Sequence, residues 1–256
     1  MADQLYFSRD SKVFIKIGAN IWEMPVLDGF SFSQATNSSE ITLNEMSDTA
    51  GNSRRGRQMF NDSYAPAEWS FSTYARPFKS AGTGTGAADT VANNHHAVEE
   101  VLWALMVGDA AYASSSFEGL TSDATDLDIS FANSNKATLG TADIFFVMGA
   151  ATSGTKTTYK IANCCVNEAS LDFDIDGIAT INWSGMGTII TDEETAPTAT
   201  IYEAVNSTSN FIRNRLTSLA ISSTVPTVVN PYNLVLTGGN VTISNNMTFL
   251  TPETLG

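Results

Sequence analysis

Three observations predict a mainly β chain, with packed sheets, one flanking α-helix and a long hairpin loop. Residues 68–74 alternate strictly: Trp69, Phe71 and Thr73 fall on one face, and Glu68, Ser70, Ser72 and Tyr74 on the other. Hydrophobic content is 43% but charged content only 16%, so polarity rests on Ser, Thr and Asn, residues at home in strands and turns of β proteins. A single helical stripe stands out, with Val98, Val101, Leu102, Leu105 and Met106 three and four apart.

In chain order, strands are predicted at 13–17 and 22–26, and residues 30–33 alternate cleanly. Residues 39–78 read as two strand runs around a long polar loop. Arg54, Arg55 and Arg57 lie in that loop, in a chain with 13 basic and 27 acidic residues. Long loops in compact β domains are usually functional or disordered. Concentrated positive charge on an acidic protein suits docking on another acidic surface, a second copy included. A Gly/Thr-rich linker covers 80–94. The helix is predicted over 95–107, with Asn94 as cap, Glu99 and Glu100 at the positive end of the dipole, and Gly108 as stop.

Residues 114–143 read as loop with a short strand at 127–131, followed by strands at 144–148 and 159–162. The most regular alternation spans 166–187. Ala169, Leu171, Phe173 and Ile175 point one way; Glu168, Ser170, Asp172, Asp174 and Asp176 point the other. Asp176-Gly177 reads as a two-residue hairpin turn. On the return strand Ala179, Ile181 and Trp183 oppose Ile178, Thr180, Asn182 and Ser184. Clustered carboxylates repel and Asp is a poor strand former, so this acidic face calls for a reason. An acidic stretch at 192–194 and Pro197 mark a boundary, giving a β-sandwich domain at 1–195 and a further unit at 196–256. In that unit residues 235–244, VLTGGNVTIS, echo residues 26–33, VLDGFSFS, with two residues more.

The formal net charge is −14. Between Lys79 and Lys136, and again between Lys160 and Arg213, there are eight acids and no Lys or Arg. Such a surface repels polyanions and argues against a nucleic-acid binder, which needs Lys and Arg on phosphates. Residues 1–4 show no signal peptide, and no apolar run reaches membrane-spanning length. The two cysteines, Cys164 and Cys165, are adjacent and expected as reduced thiols of a cytosolic setting. Nucleotide-binding and hydrolase motifs are absent, so neither an enzyme nor a cofactor is expected. His95 and His96 with Glu99 and Glu100 form a metal-like group without a third well-placed ligand, and read as two exposed histidines at a helix start. Asp172-x-Asp174-x-Asp176-Gly177 opens like a calcium loop, but position twelve is Trp183, where a bidentate Glu is required.

Several pieces in order resemble one family. They are Ile41-Thr42-Leu43-Asn44-Glu45, Arg54-Arg55-Gly56, Phe60-Asn61-Asp62 and above all Ala67-Glu68-Trp69-Ser70-Phe71-Ser72-Thr73-Tyr74. The chain resembles the major tail tube proteins of long-tailed, non-contractile bacteriophages, of the type with a duplicated tube domain. The resemblance is strongest over 39–78, 163–187 and 211–253. It implies a tail-tube-type two-sheet β sandwich that assembles with itself into stacked rings of sixfold or pseudo-sixfold symmetry. It implies tail initiator or tip and terminator proteins as partners, genomic DNA passing without specific binding, and no membrane. The setting would be the virion tail, built in the bacterial cytoplasm. Glu168, Asp172, Asp174 and Asp176 would face the lumen, and Arg54, Arg55 and Arg57 would form an inter-ring docking loop. The sequence departs from the duplicated type in stopping at Gly256, before a second domain closes, as a truncated product or as a tail completing a neighbour's sheet would. A different class is a virion-surface or secreted β-sandwich adhesin or decoration module.

Overall fold

The computed structural model describes residues 11–42, 57–83, 89–108, 112–113, 116–117, 119–131, 139–149, 156–174, 176–193, 195–201, 210–213, 219–221, 232–234 and 236–249. The chain opens with the hairpin β1 (Lys12–Ile17) and β2 (Asn20–Met24), then β3 (Ser31–Ser33). A long hairpin follows, β4 (Thr36–Thr42) with β5 (Arg57–Tyr64), and then β6 (Ala67–Tyr74). Next come β7 (Pro77–Lys79), β8 (His95–Ala97) and the helix α1 (Glu100–Val107). Short strands β9 (Tyr112–Ala113), β10 (Ser116–Phe117), β11 (Leu120–Ser122) and β12 (Leu127–Ile129) precede the long ones, β13 (Ala142–Met148), β14 (Thr157–Asp174), β15 (Thr180–Gly187) and β16 (Ile190–Glu193). The described chain ends with β17 (Leu219–Ile221), β18 (Tyr232–Leu234) and β19 (Gly238–Ser244).

Strand β14, 18 residues long, belongs to two sheets. Its first half pairs with β13 and β16, extending the order β2-β1-β13-β14. Its second half pairs with β15 and β19, giving β3-β6-β15-β14-β19. The change of sheet falls where Asn163 adopts φ 51° and the register with β15 slips between Val166 and Glu168. A left-handed Asn is tolerated sterically, and a register slip of this kind bends a strand. The two sheets therefore face each other as a sandwich. Val13, Ile15, Ile144, Phe146 and Ile161 from the first pack with Trp69, Phe71, Ala169, Ile181 and Trp183 from the second. Phe32 of β3 bridges them, with ring centroids 4.7 Å from Phe146 and 5.4 Å from Tyr159. Trp183 is 1% exposed. Its indole N–H donates to Thr73 Oγ1 at 3.0 Å, which satisfies a polar atom that would be costly to bury alone. A side chain at Gly185 would overlap the Cys165 carbonyl and the Trp69 indole, so the close approach of β15 to β14 requires glycine there.

The polar run after β4 is not all loop. Strand β5 begins at Arg57 and pairs with β4 from Thr42↔Arg57 back to Thr36↔Tyr64. Arg54 and Arg55 lie outside the described residues. Gln34 fastens the base of this hairpin: its amide donates to the carbonyls of Ala65 (2.9 Å) and Thr188 (3.0 Å) and accepts from the Ile190 N–H (3.0 Å).

The helix is shorter than its apolar stripe predicts. Residues 95–97 form β8 against β7, and Glu99, not Asn94, occupies the cap position without a side-chain cap bond. Asn94 is engaged elsewhere, its amide donating to Asp89 Oδ2 at 2.7 Å, and the His95 N–H donates to the Asp123 carbonyl at 2.7 Å. Gly108 closes the helix in the left-handed conformation, as expected. Trp103 meets Trp183 edge-to-face at 4.9 Å and seats the helix on the sandwich.

His96 is not exposed, as the sequence suggested, but 3% exposed. Its Nδ1 meets Glu100 Oε2 at 2.8 Å and its Nε2 meets Asp89 Oδ2 at 3.3 Å, with Phe78 stacked on the ring. Burial alone would lower the His96 pKa, but the two carboxylates outweigh it and raise it. Asp89 is pushed up by burial yet ends lowered, because the Val91 N–H, Asn94 and His96 all bond its carboxylate. Glu99 is fully buried, which lifts its pKa from 4.5 to about 7, although it accepts the Arg76 N–H at 3.3 Å.

Glu99 and His96 are both protonated more readily in the folded than in the unfolded chain. Their stabilising contributions are complete below the unfolded values, 4.5 for Glu99 and 6.5 for His96, and are lost as pH rises through the folded ones. The melting temperature is therefore expected to fall as pH rises from 4.5 to about 7 through the Glu99 range, and to fall further above 6.5 as His96 loses its proton. Glu99→Gln should flatten that slope by removing one of the two contributions. A calorimetric pH series checks it, and an unchanged slope in Glu99→Gln would exclude Glu99 as a source.

Candidate functional site

The β3-β6-β15-β14-β19 sheet has an apolar side and a polar side. On β6 and β15 the inward residues Ala67, Trp69, Phe71, Thr73, Ile181 and Trp183 are buried, as the alternation predicts. The outward residues form a continuous hydroxyl and amide surface set with carboxylates. Ser72 Oγ donates to Asn182 Oδ1 at 2.6 Å. The Asn182 amide donates to Asp172, and the Asn240 amide donates to the other oxygen of the same carboxylate. One row of hydrogen bonds thus crosses four strands, from β6 to β19.

Glu168 is half-buried on this side, opposite Ser184 of β15 and Ser244 of β19. Asp172 is half-buried at the centre of the amide row, and Asp174 is exposed at the end of β14, opposite Gly238. Asp176 lies exposed beyond the end of β14, where the Gly177 N–H donates to the Asp174 carbonyl at 3.1 Å. Asp176-Gly177 is therefore not a two-residue hairpin loop, since the last β14–β15 pair is Asp172↔Thr180. Residues 178–179 instead reach a separate segment, Ile178 bridging to Arg213 and the Ala179 N–H bonding the Ile212 carbonyl.

Glu68 joins the acidic group through its pairing with Met186 and Ser33. Its strand pattern marked it as outward, but only the register shows that it shares a surface with Glu168. Asn182 and Asn240 are further members that sequence reasoning missed as functional, because their role appears only across strands. The register also explains how the acids coexist. Their cross-strand neighbours are Ser, Thr, Asn, Gly or Met, never a second carboxylate, so direct repulsion is avoided. Among the described residues the strands of this side present a wettable surface of hydroxyls, amides and carboxylates, without a Lys or Arg on the strands themselves.

Asp172 is committed to two amide donors, and among the described residues no group of three His, Cys, Asp or Glu is placed to hold a metal. One constellation looks hydrolytic: Ser122 Oγ lies 3.1 Å from His96 Nε2, and His96 Nδ1 lies on Glu100. A working triad needs a neutral imidazole accepting the serine proton. Here Ser122 donates to the His95 carbonyl at 2.7 Å, and two carboxylates favour the imidazolium. The group serves to pin β8, α1 and β11 together. Of the predicted docking arginines, Arg57 starts β5, and the other two lie outside the described residues.

No protein-family model matches the chain. It is 28% identical over 263 residues to the tail tube protein pb6 of Escherichia phage T5, a match covering 98% of this chain and 52% of the relative. The chain thus spans about half the length of the curated relative it matches. Among solved structures, the sheath/tube terminator of the PVC extracellular contractile injection system aligns at TM-score 0.39 and 10% identity, over 75% of this chain and 99% of that one. The tube-terminating cap of the anti-feeding prophage aligns at TM-score 0.39 and 14% identity, over 76% and 95%. Nearly the whole of this chain is homologous to a bacteriophage tail tube protein.

Proposed function

We propose that the chain is a tail tube subunit, a structural protein of the virion that assembles with copies of itself into a hollow tube for DNA delivery. Its rings would have sixfold or pseudo-sixfold symmetry and be bounded by tail initiator or tip and terminator proteins. Assembly would take place in the host cytoplasm. The observation that carries this reading is the polar side of the β3-β6-β15-β14-β19 sheet. A wall of hydroxyls, amides and spaced carboxylates, backed by a dry core, suits a channel for a polyanion. Lysines or arginines there would trade counterions for phosphates and grip the DNA. Glu68, Glu168, Asp172 and Asp174 are assigned to that wall, with Asp176 at its rim. The β4–β5 hairpin and the arginines at 54, 55 and 57 are assigned to contacts between rings.

Purified protein is expected to form rings or hollow tubes in negative-stain micrographs, alone or with an initiator complex. A strict monomer at high concentration with the initiator present would overturn the proposal. Arg54→Glu, Arg55→Glu and Arg57→Glu together should shorten or abolish tubes while the thermal melt stays within a few degrees of the unaltered protein, since substitutions outside the buried core rarely disturb the fold. Full-length tubes from that variant would remove the docking role.

Glu168→Lys with Asp174→Lys leaves Asp172 and its two amide donors in place. Virions carrying it should package normally and eject DNA slowly or incompletely, with the defect easing at high salt as phosphate contacts are screened. Normal ejection at low salt would refute the lumen assignment.

A further inference from the structure

Asp-Gly occurs twice in the chain, at Asp28-Gly29 and at Asp176-Gly177. The dipeptide is chemically reactive, because glycine has no side chain to shield its nitrogen from the preceding carboxyl group. The outcome at each pair depends on whether the glycine N–H is engaged and whether there is room around it.

The fold treats the two pairs differently. The Gly177 N–H is committed, donating to the Asp174 carbonyl at 3.1 Å. The Gly29 N–H and the Asp28 carboxylate have no hydrogen-bond partner among the described residues, and both residues are exposed. Gly29 takes φ 100°, a conformation that strains any other residue, so the bend itself requires glycine there. A Cβ placed on Gly29 would meet nothing within 4 Å, so the approach to its nitrogen is open.

Both flanks of this pair are held. The Leu27 N–H donates to the Ser72 carbonyl at 2.8 Å, and the Phe30 ring lies 5.1 Å from that of Phe146. Asp28 and Gly29 are a free link between two fixed points. The link leads directly into β3, a strand of three residues.

We propose that Asp28-Gly29 is a site of spontaneous aspartate isomerisation, open in the folded chain, whereas the fold protects Asp176-Gly177. The Gly29 nitrogen attacks Asp28 Cγ. A C–N bond forms, the bond from Cγ to its hydroxyl breaks, and the amide proton departs with that hydroxyl as water. The product is a five-membered succinimide. Water then opens the ring at either carbonyl. Opening at the original main-chain carbonyl leaves the chain running through Cβ and Cγ, an isoaspartate of unchanged mass. Water is the only co-reactant, lost in one step and taken up in the next. Isoaspartate lengthens the main chain by one atom between Leu27 and Phe30, which introduces slack where β3 is delivered to the core. A subunit built into a virion is not replaced, so the change accumulates as the particle ages; this consequence rests on the tail tube reading, and the chemistry does not.

The purified full chain, incubated warm at neutral pH and then digested, tests this. The peptide holding Asp28 should split into two chromatographic forms of equal mass, the new one accepting a methyl group from a protein L-isoaspartate methyltransferase. It should convert faster than the Asp176 peptide by up to about tenfold, the effect on rate of one backbone hydrogen bond. In denaturant the two peptides should convert alike. Asp28→Glu, which would need a six-membered ring, should abolish the signal. Asp28→Asn should raise it through the same succinimide, with ammonia as the leaving group. Equal conversion of the two pairs in the folded chain would overturn the proposal, as would no more isoaspartate at position 28 than in Asp28→Glu. Amide hydrogen exchange at residues 31–33 should quicken in the aged chain and not in aged Asp28→Glu; unchanged exchange would refute the loosening of β3. Stored virions with Asp28→Glu should keep their infectivity longer than unaltered ones. Equal decay, with isoaspartate present at Asp28 of the unaltered virions, would refute the ageing effect. A chain that forms no tubes would remove the tube reading and leave the chemistry at Asp28 standing.

Discussion

The structure depends on the bend in β14. A strand shared by two sheets lets one continuous backbone ladder fold over its own side chains, so each sheet closes the other's core. The two halves of β14 differ in surroundings: the first runs between β13 and β16, the second between β15 and β19. Without the bend at Asn163 and the slip after Val166, one register would have to serve both sheets. The inward alternation Ala169, Leu171, Phe173 would then lose its match with Ile181 and Trp183.

Acidic residues are handled in two physically distinct ways. On the polar side of the sheet they are kept apart by hydroxyls and amides and stay near water. Beside α1 they are buried, and there Asp89 and Glu100 close on a histidine while Glu99 lies near Arg76. The first arrangement sets a surface potential, and the second couples local packing to proton concentration. A net charge of −14 conceals this difference entirely.

Much of the sandwich was legible in the sequence, because a half-buried strand writes its facing into alternate residues. Residues 68–74, 168–174 and 180–184 could be assigned inward and outward without coordinates, and the outward placement of Glu168, Asp172 and Asp174 was read that way. Cross-strand register was not legible. It decides that Glu68 shares the surface of Glu168, that Asn182 and Asn240 hold Asp172, and that β14 ends before Asp176. The start of α1 failed for a related reason. Val98 and Val101 fit a helical stripe, but residues 95–97 are claimed by pairing with 77–79 and by the Asp123 carbonyl, contacts distant in sequence. The fate of His96 followed from the same misplacement. Arg57 was read as loop because the alternation of β5 is polar on both sides, so no apolar period marks it as a strand.

The β4–β5 hairpin leaves the sandwich with residues 36–40, Asn61 and Tyr64 exposed to solvent. Among the described residues no third strand pairs with them, and a two-stranded ribbon is marginally stable in water on its own. In the proposed tube this hairpin would order on a neighbouring subunit, and the entropy of that ordering would be lost once per added subunit. An existing end would offer a surface that offsets this cost at once, whereas two subunits meeting in solution would not. A polymer with such an arm starts rarely and elongates readily, so its number and length are set by the species that supplies the first end.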